Sequence, residues 1–201
     1  MRKVNISVLV SGGGTNFQAV IDAIERGDIP CGQIVQVISS TSKAYSLERA
    51  KNHNIKAKVI GKENYPDMSD RTDAILAALK EEQTDMIVLA GYMSVLDARL
   101  IDAYRDRIIN IHPSLIPKYC GKGFYGHHVH EAVLAGGETE SGATVHFVDE
   151  GVDTGKIILQ RTVPVEPGDT PDTLAARVLK VEHTILPLAV KQLTEQLASE
   201  K

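Results

Sequence analysis

The sequence predicts an α/β fold: a Rossmann-like, mostly parallel twisted sheet with helices on both faces, ending in an antiparallel hairpin and a long final helix. Three observations predict it. Apolar runs alternate with segments of helical period as far as His112, a glycine-rich stretch joins the first run to the first helical segment, and two late β-type runs flank the turn-rich stretch D-E-G-V-D-T-G. Such alternation builds βα units, whose parallel strands are buried on both sides and so read as near-continuous runs of Val and Ile.

In chain order, the strand-like runs are residues 4–10, 34–38, 57–60, 86–90 and 108–111, separated by helical segments at 17–26, 44–53, 70–82 and 97–104. Ligands of open α/β sheets lie beyond the carboxyl ends of the strands, so chemistry is expected in the loops after Val10, Ala90 and Ile111. After Ser114 the pattern changes. Pro117, Gly121, Gly123 and Gly126 crowd into a loop, and a short helix is expected over 129–135. Residues 143–148 and 156–163 are expected to pair as a hairpin, because their connection is too short for a parallel crossover. Thr170-Pro171-Asp172 then opens a long helix with a capping residue before a proline; Leu174, Val178, Val181, Ile185 and Leu188 mark its buried face, and Pro187 is expected to kink it. No repeat or linker divides the chain, so 1–201 is expected to be one domain, with a phosphate-binding half over 1–112.

With 201 residues, 43% of them hydrophobic, the chain can bury one sizeable core. Its 22 Lys and Arg and 26 Asp and Glu are scattered and leave a net charge of -4, so nothing marks a nucleic acid or an anionic membrane as partner. No apolar run approaches the roughly 20 residues of a membrane-spanning helix. Cys31 and Cys120 form no Cys-x-x-Cys pair, which makes a reducing, cytoplasmic compartment the expectation. The opening M-R-K-V-N-I-S-V-L-V runs into S-G-G-G without a cleavage pattern and reads as a first strand. Small molecules are the expected partners, of a monomer or a homodimer.

Ser11-Gly12-Gly13-Gly14-Thr15-Asn16 lies between the first strand and the first helix, where backbone N–H groups and a helix N-terminus face an anion together. Phosphate is the natural guest. The stretch lacks the Lys-Ser/Thr ending of a triphosphate loop, and Phe17 occupies the third glycine position of the dinucleotide fingerprint. The second strand ends Ile38-Ser39-Ser40, with no acid for an adenosine ribose, which disfavours NAD. The bland alternative is a tight turn without a ligand.

Asn110-Ile111-His112 ends a strand, and period-two alternation puts Asn110 and His112 on one face. An amide donor beside an imidazole suits an oxygen that becomes negative as a carbonyl is attacked. Asp153, in the hairpin connection with Asp149 and Glu150, is the candidate carboxylate partner. Near His112 it would raise the imidazole pKa and accept the proton of an attacking amine. Otherwise these are a hydrogen-bonded histidine and a solvated acidic turn.

The stretches V-L-V-S-G-G-G-T-N, L-A-G-Y-M, N-I-H-P-S-L-I-P and V-H-F-V-D-E-G-V-D-T-G, in this order and over nearly the whole chain, resemble the phosphoribosylglycinamide formyltransferases, a folate-dependent family of purine synthesis. In that family a substrate amine attacks the formyl carbon of 10-formyltetrahydrofolate. The resemblance implies Asn110 and His112 as the oxyanion stabilisers, His112 as proton donor, and Asp153 as the partner that raises its pKa and relays protons. It puts the ribonucleotide phosphate on Gly14, Thr15 and Asn16, and the ribose hydroxyls on Glu182. The pterin falls beside Met93, Ser94, Val95 and Leu96, with Asn110, Asp149 and Glu150 completing the folate site and residues 113–201 forming a folate-side half. The basic residue that contacts the folate in relatives has no counterpart at matching spacing; Arg71 is the nearest.

Within the same chemistry, a methionyl-tRNA formyltransferase is expected to carry a basic extension after the last helix, and a formyltetrahydrofolate deformylase a regulatory domain before the first strand. This sequence starts at its first strand and stops at its last helix, which favours neither. A non-catalytic nucleotide-binding module would keep the glycine loop and tolerate loss of His112. His127, His130 and Glu131 are spaced to share a helix face as metal ligands, but no Cys joins them and the resemblance implies chemistry without a metal, so none is expected.

Overall fold

Strand β1 (Val4–Val10) sets the frame of the computed structural model, which describes residues 2–200. Val4, Ile6, Val8 and Val10 are fully buried in one core, whereas Leu9, on the opposite pleat, belongs to a second. Only a strand covered on both faces places apolar side chains this way. The same division recurs in β4 (Met86–Leu89), where Met86 and Val88 face the first core and Ile87 and Leu89 the second. It recurs again in β5 (Ile108–His112), with Ile109 and Ile111 against Ile108.

The remaining elements are α1 (Thr15–Glu25), β2 (Gly32–Ser39), α2 (Ser46–Asn52), β3 (Lys56–Val59), α3 (Met68–Glu81), α4 (Ala98–Ala103), α5 (His127–Ala135), β6 (Glu140–Phe147), β7 (Ile157–Pro164) and α6 (Pro171–Ser199). The strands form one sheet in the order β3-β2-β1-β4-β5-β6-β7. Strands β1 to β5 pair in parallel, whereas β6 runs antiparallel to β5 and β7 antiparallel to β6. Strand order reverses between β1 and β4, which opens a crevice at the carboxyl ends of β1, β4 and β5. The first core lies under α1 and α6, the second under α3 and α4.

Two details differ from the sequence reading. Strand β6 begins at Glu140, ahead of its apolar run, because pairing with β7 continues through Glu140↔Pro164 whatever the side chains are. In α6 the buried stripe starts at Leu174 and Val178 as expected, then drifts: Leu188 is 41% exposed, Val181 is half-buried, and Glu182, Leu186, Ala189 and Val190 turn inward. A stripe spaced at 3.5 residues slips around a helix of 3.6 residues per turn, so positions about two turns on fall off the buried face. The helix is continuous through Pro187.

Thr170 caps α6 reciprocally: its hydroxyl accepts from the Thr173 N–H at 3.3 Å, and its own N–H donates to the Thr173 hydroxyl at 2.9 Å. Such a cap contributes about 1 kcal/mol. From there α6 crosses β1, β2, β6, β7, α1 and α5, tying the two ends of the chain together. Among the described residues, no helix is long and apolar enough to cross a membrane.

Candidate active site

The site grows from the end of β5. The antiparallel register sets Asn110 opposite His146 and His112 opposite Thr144, so all four side chains share one face of the sheet. His146 Nδ1 lies 2.7 Å from the Phe147 carbonyl, which can only accept, so this nitrogen carries the proton. His146 Nε2 lies 3.2 Å from Asn110 Nδ2, a contact that fixes the amide. The second N–H of the Asn110 amide remains for a ligand.

His112 is similarly oriented. Its Nε2 donates to the Tyr119 carbonyl at 2.9 Å, which turns Nδ1 toward Asp153 Oδ2 at 3.6 Å. Asp153 follows the end of β6 with φ of 58°, a left-handed backbone that aspartate tolerates better than most residues. Its carboxylate accepts the Gly121 N–H at 2.9 Å and stands 3.5 Å from His146 Nε2. The hairpin thus carries Asp153 back over the strand end, joining residues far apart in sequence.

The electrostatics reverse one expectation. Burial pushes the His112 pKa below its ordinary value and outweighs the upward pull of Asp153 and the Tyr119 carbonyl. Burial pushes Asp153 upward, but His146, His112 and the Gly121 N–H together hold its carboxyl below the usual range. The resting pair is therefore a neutral imidazole beside a carboxylate. The attraction of Asp153 is present, but desolvation of His112, which is only 5% exposed, is larger.

The exit of β5 is held by its neighbours. Thr144 Oγ1 donates to the Ser114 carbonyl at 2.6 Å and accepts the Ile116 N–H at 3.2 Å, and Gln160 donates to both Thr144 Oγ1 and the Ile116 carbonyl. Beyond this clamp, Gly121, Gly123 and Gly126 adopt positive φ and turn the loop across the crevice.

These groups line a cavity of about 620 Å³. Met93, Ser94, Val95, Leu96, Asp149 and Glu150 line it alongside Asn110, His112 and Asp153, and Asn16 and Glu182 line it too. Asp149 Oδ1 accepts the Thr154 hydroxyl at 2.5 Å and the Gly151 N–H at 3.1 Å, fixing the turn, while Glu150 pairs with Arg105. Glu182 is 8% exposed and accepts from Asn16 Nδ2 at 2.6 Å. Burial raises its carboxyl pKa, against the lowering effect of Asn16. Asn16 Oδ1 is buried without a partner.

Three sequence-predicted residues fall outside the lining. Arg71 is not part of the lining; its buried guanidinium donates to the Tyr65 carbonyl at 2.8 Å, and its charge reaches the lining residue Tyr92. Gly14 and Thr15 are also off the cavity wall. Gly14, with φ of 70°, caps α1, and a Cβ there would stand 2.6 Å from Ser46 Cβ, so its glycine is explained by packing alone. The open positions of the loop are Gly12 and Gly13, where an added Cβ meets nothing within 4 Å. The lining draws on both sides of residue 112, with residues 93–96 before it and Glu182 after it.

Glu131 accepts from His128 at 3.2 Å, His127 faces Asp172 at 3.2 Å, and among the described residues no group of three candidate ligands converges. Sequence reasoning missed His146, the Tyr119 carbonyl and Ser11. His146 was within reach of the period-two rule, because β6 alternates Ala143 and Val145 into the core with Thr144 and His146 away from it. Ser11 Oγ accepts from Ser40 Oγ at 2.6 Å and from the Met93 N–H at 2.8 Å, linking the glycine loop to residues 91–96, and nothing in its local sequence signals that.

Comparison with known proteins shows the family. Residues 4–190 match the family model described as formyl transferase. The phosphoribosylglycinamide formyltransferase of Haemophilus influenzae is 43% identical over 94% of this chain and 87% of that protein. The chloroplastic enzyme of that name from Vigna unguiculata is 38% identical over 98% of this chain, which spans 62% of the longer relative. The crystal structure of glycinamide ribonucleotide transformylase 1 from Symbiobacterium toebii superposes with a TM-score of 0.90 at 39% identity, covering 96% of this chain and 89% of that one. The chain belongs to the formyl transferase family. Within that family it is a phosphoribosylglycinamide formyltransferase, a transferase of purine biosynthesis.

Proposed function

We propose that the chain carries a formyl group from 10-formyltetrahydrofolate to the amine of 5′-phosphoribosylglycinamide, giving the formylated ribonucleotide and tetrahydrofolate, with Asn110, His112 and Asp153 at the reacting centre. The observation that carries this reading is the convergence of the three on one cavity wall, with His112 Nδ1 3.6 Å from Asp153 Oδ2. Attack by the amine makes the formyl oxygen negative. The free Asn110 N–H is the donor for that oxygen. The reaction also moves one proton from the attacking amine to the folate nitrogen that departs. A neutral imidazole beside a carboxylate suits this transfer: His112 Nδ1 takes the proton, Asp153 and the Tyr119 carbonyl hold the imidazolium between them, and the proton is then released to the leaving nitrogen.

Met93, Val95, Leu96 and Val148 supply an apolar wall that fits a flat heterocycle, with Ser94, Asp149 and Glu150 as polar neighbours. Asn16 and Glu182 are assigned to the ribose, and the N–H groups of the loop through Gly14, Thr15 and Asn16 to the phosphate. In this reading residues 1–201 act as one catalytic unit in the cytoplasm, as a monomer or a homodimer, and the chemistry needs no metal.

The test is formyl transfer measured with both substrates, beside a blank without the amine. Formylated ribonucleotide and tetrahydrofolate appearing in equal amounts, with a silent blank, is the expected result. Formate released equally in the blank points instead to a deformylase, and no turnover with intact binding to a nucleotide-binding module.

A further inference from the structure

His130 lies on the buried side of α5 and is 4% exposed, yet it lines the same cavity as His112 and Glu182. Its Nδ1 is shut off from solvent without a hydrogen-bond partner. A buried polar nitrogen left unpaired is costly, and native interiors leave few. The ring is held from one side by His127, at a centroid separation of 6.4 Å, which in turn faces Asp172 at the start of α6. Helix α5 packs on α6, which carries Glu182, and His130 and Glu182 line the same cavity.

We propose that His130 is a further binding residue for the phosphorylated amine, hydrogen-bonding a neutral polar group of that substrate. The proposal rests on the reading of the site given above. Burial, reinforced by His127 and His112, pushes the His130 pKa down to about 4, so the ring is uncharged at neutral pH. An uncharged imidazole offers one N–H and one lone pair, which matches a hydroxyl or an amide better than a phosphate. His130 takes no proton in the transfer; it contributes to holding the amine substrate, and its loss acts on binding of that substrate alone.

The experiment compares wild type with His130→Phe, which keeps a ring of similar shape without nitrogens, and with His130→Asn, which keeps a donor and an acceptor. Expected is a rise of about three- to tenfold in KM for 5′-phosphoribosylglycinamide in His130→Phe, with kcat and the folate KM within twofold of wild type, and recovery of most of that loss in His130→Asn. An unchanged amine KM in His130→Phe, or a fall in kcat with KM unchanged, overturns the proposal. Should His130→Phe fail to fold, His130→Asn against His130→Ala decides: equal amine KM values in those two overturn it. Failure of the wild type to formylate the ribonucleotide at all defeats the functional reading instead, and is seen before any variant is made.

Discussion

Asn110 and His112 sit side by side, but the roles proposed for them differ because their partners differ. Asn110 is fixed by His146 and is proposed to give an N–H to the reacting oxygen, whereas His112 is fixed by Tyr119 and turns Nδ1 toward Asp153. Asn110→Ala is therefore expected to lower kcat by about a hundredfold or more, with both substrate affinities retained, as steady-state kinetics and equilibrium binding would report. The buried histidines also set an acid limit. His112 and His130 each have a folded-state pKa below the ordinary value, and Asp153 is held below its own, so over the acid range the unfolded chain binds more protons than the folded one. Stability is then fully present above the ordinary histidine pKa and is lost as pH falls through the folded values. For His130, with a folded pKa of about 4, the loss approaches roughly 3 kcal/mol at the low end. Thermal midpoints measured between pH 7 and pH 4 are expected to fall steadily, and less steeply in His130→Phe.

Elements position these residues through links that cross the crevice. Ser11 opens the glycine loop, yet its hydroxyl holds the Met93 N–H at 2.8 Å and so fixes the start of the wall assigned to the folate. Ser11→Ala is expected to raise the KM for 10-formyltetrahydrofolate several-fold while the amine KM changes less. The opposite pattern would mean that Ser11 serves the phosphate loop alone. Within that loop the glycines are not equivalent. Gly14→Val meets both a positive φ and the Ser46 side chain, so it should lower the thermal midpoint, whereas Gly13→Ala has room and should leave it unchanged.

Across the whole molecule, the cavity depends on residues from both ends of the chain. Asn16 from α1 bonds Glu182 from α6, β6 extends the sheet begun by β1 to β5, and α6 packs on β1, β2, β6 and β7 together. Removing either end would expose the first core. Thermal unfolding is thus expected to be one cooperative transition, with coincident loss of helix signal and near-ultraviolet signal. Saturation with both a folate analogue and the ribonucleotide should shift it upward by mass action. Two separated transitions would show that the halves fold independently.

The sequence by itself determined what periodicity and local chemistry can encode. Alternating apolar runs gave the strands and their burial on both faces, Thr170 before Pro171 gave the start of α6, and period-two alternation gave the shared pleat of Asn110 and His112. These are readings over a few residues, where side-chain direction follows from the backbone repeat. The tertiary structure decided what depends on distance across the fold. It set Asp153 against His112, paired Asn110 with His146 across strands, and placed the Arg71 guanidinium on the Tyr65 carbonyl. It also sets the direction of the His112 shift, where desolvation lowers the pKa against the opposing pull of Asp153 and only the packed surroundings fix which is larger.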